Sequence, residues 1–199
     1  LSVADHLLRQ NEWGYEKIKP IRRFSNLTVG LLAFGRIARR VAEKLRVFNL
    51  EVLAYDPYFE EKEKYPWVRF LSLKDMLTRS DIVSIHAPFN EATHHLVDKE
   101  KLSWMKDGVI LVNTSRGELI AEDALLKAID SRKVSMAGLD VLEYQDTEYY
   151  QSALLKFPER VVITPHMGWY SEEAIVDLQT KTALNVYEML KNGKPLYSV

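Results

Sequence analysis

The fold class that this sequence predicts is α/β: a doubly wound, mainly parallel sheet with helices on both faces. Three observations point there. Short apolar runs recur at 27–32, 51–55, 68–70, 81–85, 109–113, 135–139 and 161–164, rich in Val, Ile and Leu without polar alternation, as strands covered on both faces require. Helical patterns fill the intervals, at 36–48, 72–79, 98–105, 122–131 and 171–192. Strand, helix and strand in that order make right-handed βαβ units.

Taken in order, the first 26 residues break the alternation. Trp13, Gly14, Pro20 and several charges make them a lead-in segment, so the domain is placed at 27–199. The helix near 72 starts with Ser72-Leu73-Lys74-Asp75, a capping-box pattern with Asp as third partner, and the helix near 98 starts with Asp98. In the last helix Ala174, Leu178, Ala183, Val186, Tyr187 and Leu190 fall near helical spacing, which predicts a core-facing stripe. Trp13, Trp67 and Trp104 read as packing residues.

Composition narrows the function classes. The 199 residues suffice for one sizeable core or two small ones. With 27 basic against 28 acidic side chains the net charge is −1, which gives no basic field for nucleic acid. The absence of Cys removes disulfides, thiolate nucleophiles and Cys-ligated zinc. No apolar run is long enough for a bilayer and the first residues do not form a signal sequence, so a cytoplasmic protein with no membrane partner is expected.

At the end of the first strand the chain reads Gly30-Leu31-Leu32-Ala33-Phe34-Gly35-Arg36-Ile37-Ala38. In the register set by the strand this is Ala33-x-Gly35-x-x-Ala38, a dinucleotide-binding turn that keeps the central glycine, the one that lets the backbone approach a pyrophosphate. Ala is an accepted third residue; at the first position, where the turn is tight, Ala33 is less comfortable. The following helix offers N–H groups and the positive end of its dipole to phosphates, and Arg36 adds charge. Asp56 ends the second strand, 21 residues after Gly35. An acid there suits the adenosine ribose hydroxyls and repels a 2′-phosphate, so NAD is the expected cofactor.

Polar residues follow three later strands, where ligands of open α/β sheets bind: Asn113-Thr114-Ser115-Arg116-Gly117, Gly138-Leu139-Asp140-Val141, and Thr164-Pro165-His166-Met167-Gly168-Trp169. In combination these blocks resemble the D-isomer-specific 2-hydroxyacid dehydrogenase family, from about residue 27 to the end of the chain, and the stretch 165–174 looks especially like its C-terminal-binding-protein-related branch. The resemblance implies a Rossmann-type domain that passes hydride between a 2-hydroxy or 2-oxo acid and NAD. By the same resemblance Arg116 is the substrate anchor, whose guanidinium fork suits a carboxylate, and His166 is the acid/base. Asp140 contacts the nicotinamide, Ser84, His86 and Pro88 line the adenosine and pyrophosphate side, Ile37 and Thr114 join the cofactor contacts, and Trp169 either walls the substrate pocket or joins the core.

One position departs from the family. Five residues after Asp140, where the family carries a Glu that orients the His and raises its pKa, stands Gln145. An amide can orient an imidazole but cannot stabilise imidazolium as a carboxylate does, so weak or altered proton transfer is expected, and Glu143 could stand in only if the loop were re-registered. The branch resemblance supplies the alternative, a non-catalytic NAD(H)-responsive binding protein of corepressor type. Against intact relatives, a separate substrate domain and the long dimerisation helix are expected to be missing, so the chain alone should turn over poorly, with a homodimer open to an intact form. His94-His95 suggests no metal at this level: adjacent side chains diverge, there is no Cys, and no third ligand is evident.

Overall fold

The computed structural model describes residues 2–19, 21–144 and 151–197. A short helix α1 (Ser2–Arg9) precedes the alternating elements: β1 (Thr28–Leu32), α2 (Arg36–Leu45), β2 (Glu51–Tyr55), β3 (Val68–Phe70), α3 (Leu73–Arg79), β4 (Ile82–Ile85), α4 (Lys99–Trp104), β5 (Val109–Asn113), α5 (Glu122–Asp130), β6 (Val134–Leu139), β7 (Val161–Ile163) and α6 (Glu172–Asn192). The seven strands form one sheet in the order β3-β2-β1-β4-β5-β6-β7, with every pairing parallel. The reversal of strand order between β1 and β4 is the switch point of a doubly wound sheet.

Local sequence explains the helix starts. The Ser72 hydroxyl accepts from the Asp75 N–H at 3.1 Å and donates to the Asp75 carboxylate at 2.7 Å, while Asp98 accepts from the Lys101 N–H at 2.9 Å. The core has two parts. The larger packs Leu32, Leu53, Ile85, Leu111 and Leu139 of the strands against Met76, Leu77, Leu102, Leu125 and Ile129 of α3, α4 and α5; the smaller joins Val29, Leu31 and Val52 to Ala38 and Ala42 of α2.

The chain divides into two compact units, Leu1–Pro165 and His166–Val199. The second consists of the turn after His166, α6, and a tail tied back by Asn185, whose Nδ2 donates to the Tyr197 carbonyl at 2.9 Å and whose Oδ1 accepts from the Tyr197 N–H at 2.7 Å. Here an expectation fails: α6 buries none of its residues, and Leu178, Val186, Tyr187 and Leu190 are exposed. An apolar stripe is buried only where another element offers a surface, and among the described residues of this unit there is no second helix or strand. Trp13 also departs from the packing expected of it and is 92% exposed, whereas Trp67 and Trp104 are partly buried against the two core clusters.

Candidate functional site: the carboxyl edge of the sheet

The strands end in register. Tyr55, Leu32, Ile85, Asn113, Leu139 and Ile163 pair one to the next across the sheet, so the residues just beyond them form a row along one edge. Backbone bonds extend the ladder by one step: Ala33 N–H to Tyr55 O at 2.8 Å, His86 N–H to Leu32 O at 2.8 Å, Asp140 N–H to Asn113 O at 2.9 Å and Thr164 N–H to Leu139 O at 2.9 Å. The sheet thus aligns Asp56, Ala33, His86, Thr114, Asp140 and Thr164.

The turn after β1 has the form the sequence suggested, including its discomfort. Ala33 adopts φ +70°, the left-handed region that glycine serves without steric cost. Two contacts hold it there. The Phe34 N–H donates to Asp56 Oδ2 at 2.8 Å, and the buried Phe34 ring packs edge-on against Phe59, Tyr65 and Phe70 with centroids 5.0–5.1 Å away. Gly35 is the N-cap residue of α2; no side chain caps that helix, and a Cβ at Gly35 would meet nothing within 4 Å. Open space in front of an uncapped helix start fits a pyrophosphate. Ala38 is fully buried, Arg36 is exposed, and Ile37 is 68% exposed. Asp56 also accepts from the Tyr58 N–H at 2.9 Å, and a carboxylate with two backbone donors retains lone pairs for ribose hydroxyls. The residues present therefore fit NAD.

Next in the row, His86 is held between Ser84 Oγ, 3.0 Å from its Nε2, and surrounding apolar residues; burial pulls its imidazole down to about 4. It is neutral at pH 7. Pro88 follows as an exposed residue.

The turn after β5 is built by Asn113. This fully buried side chain donates to the Arg116 carbonyl at 2.8 Å and accepts from the Ser115 N–H at 3.0 Å, and Ser115 Oγ donates to the Ile85 carbonyl at 2.9 Å. Thr114 and Arg116 are left exposed, and one guanidinium N–H of Arg116 donates to the Ser115 carbonyl at 2.7 Å. Behind Arg116, a Cβ on Gly117 would lie 2.1 Å from the Leu142 carbonyl group and 2.5 Å from the Glu143 nitrogen, so only glycine lets the segment after β6 approach. Asp140, buried at 5% exposure, accepts from the Thr164 hydroxyl. Phe34, Asn113, Ser115 and Thr164 were not singled out by the sequence reasoning as builders of the site, though each stands inside or beside a motif block.

Two of the expected residues belong to the second unit. His166 has φ +51°, a left-handed conformation costly for a non-glycine residue. Trp169 is 55% exposed and its indole N–H donates to the His166 carbonyl at 3.0 Å. Gln145 lies outside the described residues. The premise used against His94-His95 is corrected: His95 has φ +50°, which turns the two rings to the same side, stacked with centroids 3.9 Å apart, and Glu143 Oε1 lies 2.7 Å from His95 Nε2.

Comparison with known proteins agrees with this geometry. A family model described as D-isomer specific 2-hydroxyacid dehydrogenase, NAD binding domain, matches residues 1–168. The chain is 38% identical over 181 residues to a hydroxypyruvate reductase of Thermotoga maritima, covering 87% of this chain and 58% of that one. Among solved structures, a glyoxylate reductase from Paecilomyes thermophila superposes with TM-score 0.89 at 31% identity over 100% of this chain and 59% of its own. A D-lactate dehydrogenase from Aquifex aeolicus complexed with NAD and lactic acid superposes with TM-score 0.86 at 29% identity over 98% and 64%. The chain spans 48–60% of the length of the curated relatives it matches. By sequence, fold and the turn at Gly35, the chain belongs to the D-isomer specific 2-hydroxyacid dehydrogenase NAD-binding domain family.

Proposed function

We propose that this chain is the NAD-binding half of a reductase that interconverts a small 2-oxo acid and its D-2-hydroxy acid. The observation that carries the reading is the row at the carboxyl edge of the sheet, where an uncapped helix start, Asp56, His86, Arg116 and Asp140 follow successive strand ends. NAD, when bound, accepts or supplies the hydride. Arg116 anchors the acid through its carboxylate, with the forked geometry of a guanidinium. His166 takes the hydroxyl proton as the hydrogen on the same carbon leaves with its electron pair, and returns that proton to the carbonyl oxygen in reduction. Gln145 orients the imidazole, Asp140 faces the carboxamide of the nicotinamide, Ile37 and Pro88 flank the cofactor, and Trp169 walls the substrate pocket. An intact form is a homodimer.

The reductase and dehydrogenase names of the relatives favour this reading over an NAD(H)-responsive corepressor. The test has two stages. NADH binding to the chain is followed by fluorescence and calorimetry; absence of binding overturns the proposal. Turnover of a panel of 2-oxo acids is then measured with a substrate domain supplied. His166→Ala is expected to abolish turnover while leaving NADH affinity within about twofold, since an acid/base group contributes to the chemical step rather than to uniform binding. Binding without turnover of any acid favours the corepressor reading.

A further inference from the structure

Outside the row, one cluster brings ligating side chains together. His94, His95 and Glu143 each offer one ligand atom, and these atoms lie within 4.8 Å of one another, the one such group among the described residues. They come from distant parts of the chain: the two histidines end the turn that follows β4, and Glu143 lies beyond β6. The left-handed backbone of His95, held by its N–H donating to the Glu118 carbonyl at 2.8 Å, sets neighbouring rings side by side. Glu143 is nearly buried, with 11% of its side chain exposed, and is fixed from behind by the Glu122 N–H, which donates to Oε2 at 3.2 Å. That leaves Oε1 turned toward His95.

We propose that His94, His95 and Glu143 form a binding site for a divalent transition-metal ion of the zinc class. Two imidazoles and one carboxylate suit zinc, cobalt, nickel and copper rather than the all-oxygen shells of calcium or magnesium. Donors that share an ion at about 2.0–2.2 Å stand somewhat farther apart than the present 2.7 Å between His95 Nε2 and Glu143 Oε1. Small opposed rotations make that room. His94, the exposed member, rotates its ring to bring a nitrogen onto the same ion, and water or an anion completes the shell, as in open three-ligand zinc sites. Glu143 keeps its bond to Glu122 through the other oxygen. The ion would tie the turn after β4 to the segment after β6, so it would raise thermal stability by mass action.

The experiment is calorimetric titration of the tag-free chain with zinc chloride, repeated with cobalt(II) and read by its visible absorption. One ion per chain is expected, together with a rise in Tm at saturating zinc. Changing an outer-shell partner of a metal site already costs roughly 10–100-fold in affinity, so His94→Ala, His95→Ala and Glu143→Gln are each expected to weaken binding by at least about tenfold, and His6→Ala, on α1 and not a member of the cluster, is expected to change nothing. His94→Ala alters an exposed side chain, which keeps the test independent of folding defects. No binding, or zinc binding left unchanged by His94→Ala and His95→Ala, overturns the site. Turnover is not needed for any of these readouts, so the result stands apart from the hydride-transfer reading.

Discussion

The turns after β1 and β5 lie on one sheet edge, on either side of β4, yet they are held in opposite ways. The β1 turn is supported from outside. Its first residue, Ala33, sits in a glycine conformation, and the Phe34 ring, packed among Phe59, Tyr65 and Phe70, with the Asp56 carboxylate, keeps it there. The β5 turn is supported from within, by the amide of Asn113 on both sides of the bend and by the missing side chain of Gly117. The difference shows why the first glycine of the dinucleotide fingerprint can be replaced by Ala33 while Gly117 cannot be replaced. A positive φ costs a non-glycine residue of order 1–2 kcal/mol, which neighbouring contacts can offset. Backbone occupying the space of a Cβ leaves nothing to offset.

The largest effect is expected for Gly117→Ala. Its methyl meets main-chain atoms of Leu142 and Glu143 at 2.1–2.5 Å, so the segment after β6 must move away, at a cost of about 3 kcal/mol or more; a urea midpoint close to wild type would contradict the close approach. Between the two turns stands His86, whose folded-state pKa of about 4 lies below its ordinary 6.5. Within that window the unfolded chain binds more protons than the native one. The contribution of His86 is therefore complete above about pH 6.5 and is lost as pH falls toward 4, amounting to about 2 kcal/mol between pH 7 and 5. Urea unfolding at the two pH values should show this loss, and His86→Asn should flatten it.

Smaller changes sharpen the contrast at the β1 turn. Ala33→Gly relieves the left-handed strain and is expected to stabilise by about 0.5–1 kcal/mol, the relief being partly cancelled by the freer unfolded chain; an unchanged or lower Tm would mean that the aromatic cluster has already removed the strain. Gly35→Ala places its methyl in open space at φ −72°. Stability should change by less than about 0.5 kcal/mol, while NADH affinity falls at least about tenfold, as the proposed approach of the pyrophosphate to that space requires. Equal affinity in the variant would remove Gly35 from the cofactor site.

Much of this was legible in the linear sequence. Apolar runs bounded by turn residues located all seven strands to within a residue at either end, because strands buried on both faces admit few polar residues. The helix starts at Ser72 and Asp98 were equally readable, since a cap is a contact between residues two or three apart. The strand-end motifs placed Asp56, Arg116 and Asp140 beyond β2, β5 and β6. Glu143 was weighed only as a substitute for Gln145, because its actual partners, His95 and Glu122, stand 48 and 21 residues away. The same limit applies to α6. Its spacing describes a stripe correctly, but spacing carries no information about whether a surface is present to cover it.

By itself, then, the sequence determined the alternation of elements, the parallel sheet, the turn after β1 and the polar strand ends along one edge, because each follows from local patterns of burial, capping and turn geometry. The tertiary structure alone decided how Ala33 is tolerated, why Gly117 is required, that His86 is neutral, and that two histidines and a glutamate meet. Those outcomes depend on which distant residues are brought within a few ångströms, and only the packed chain settles that.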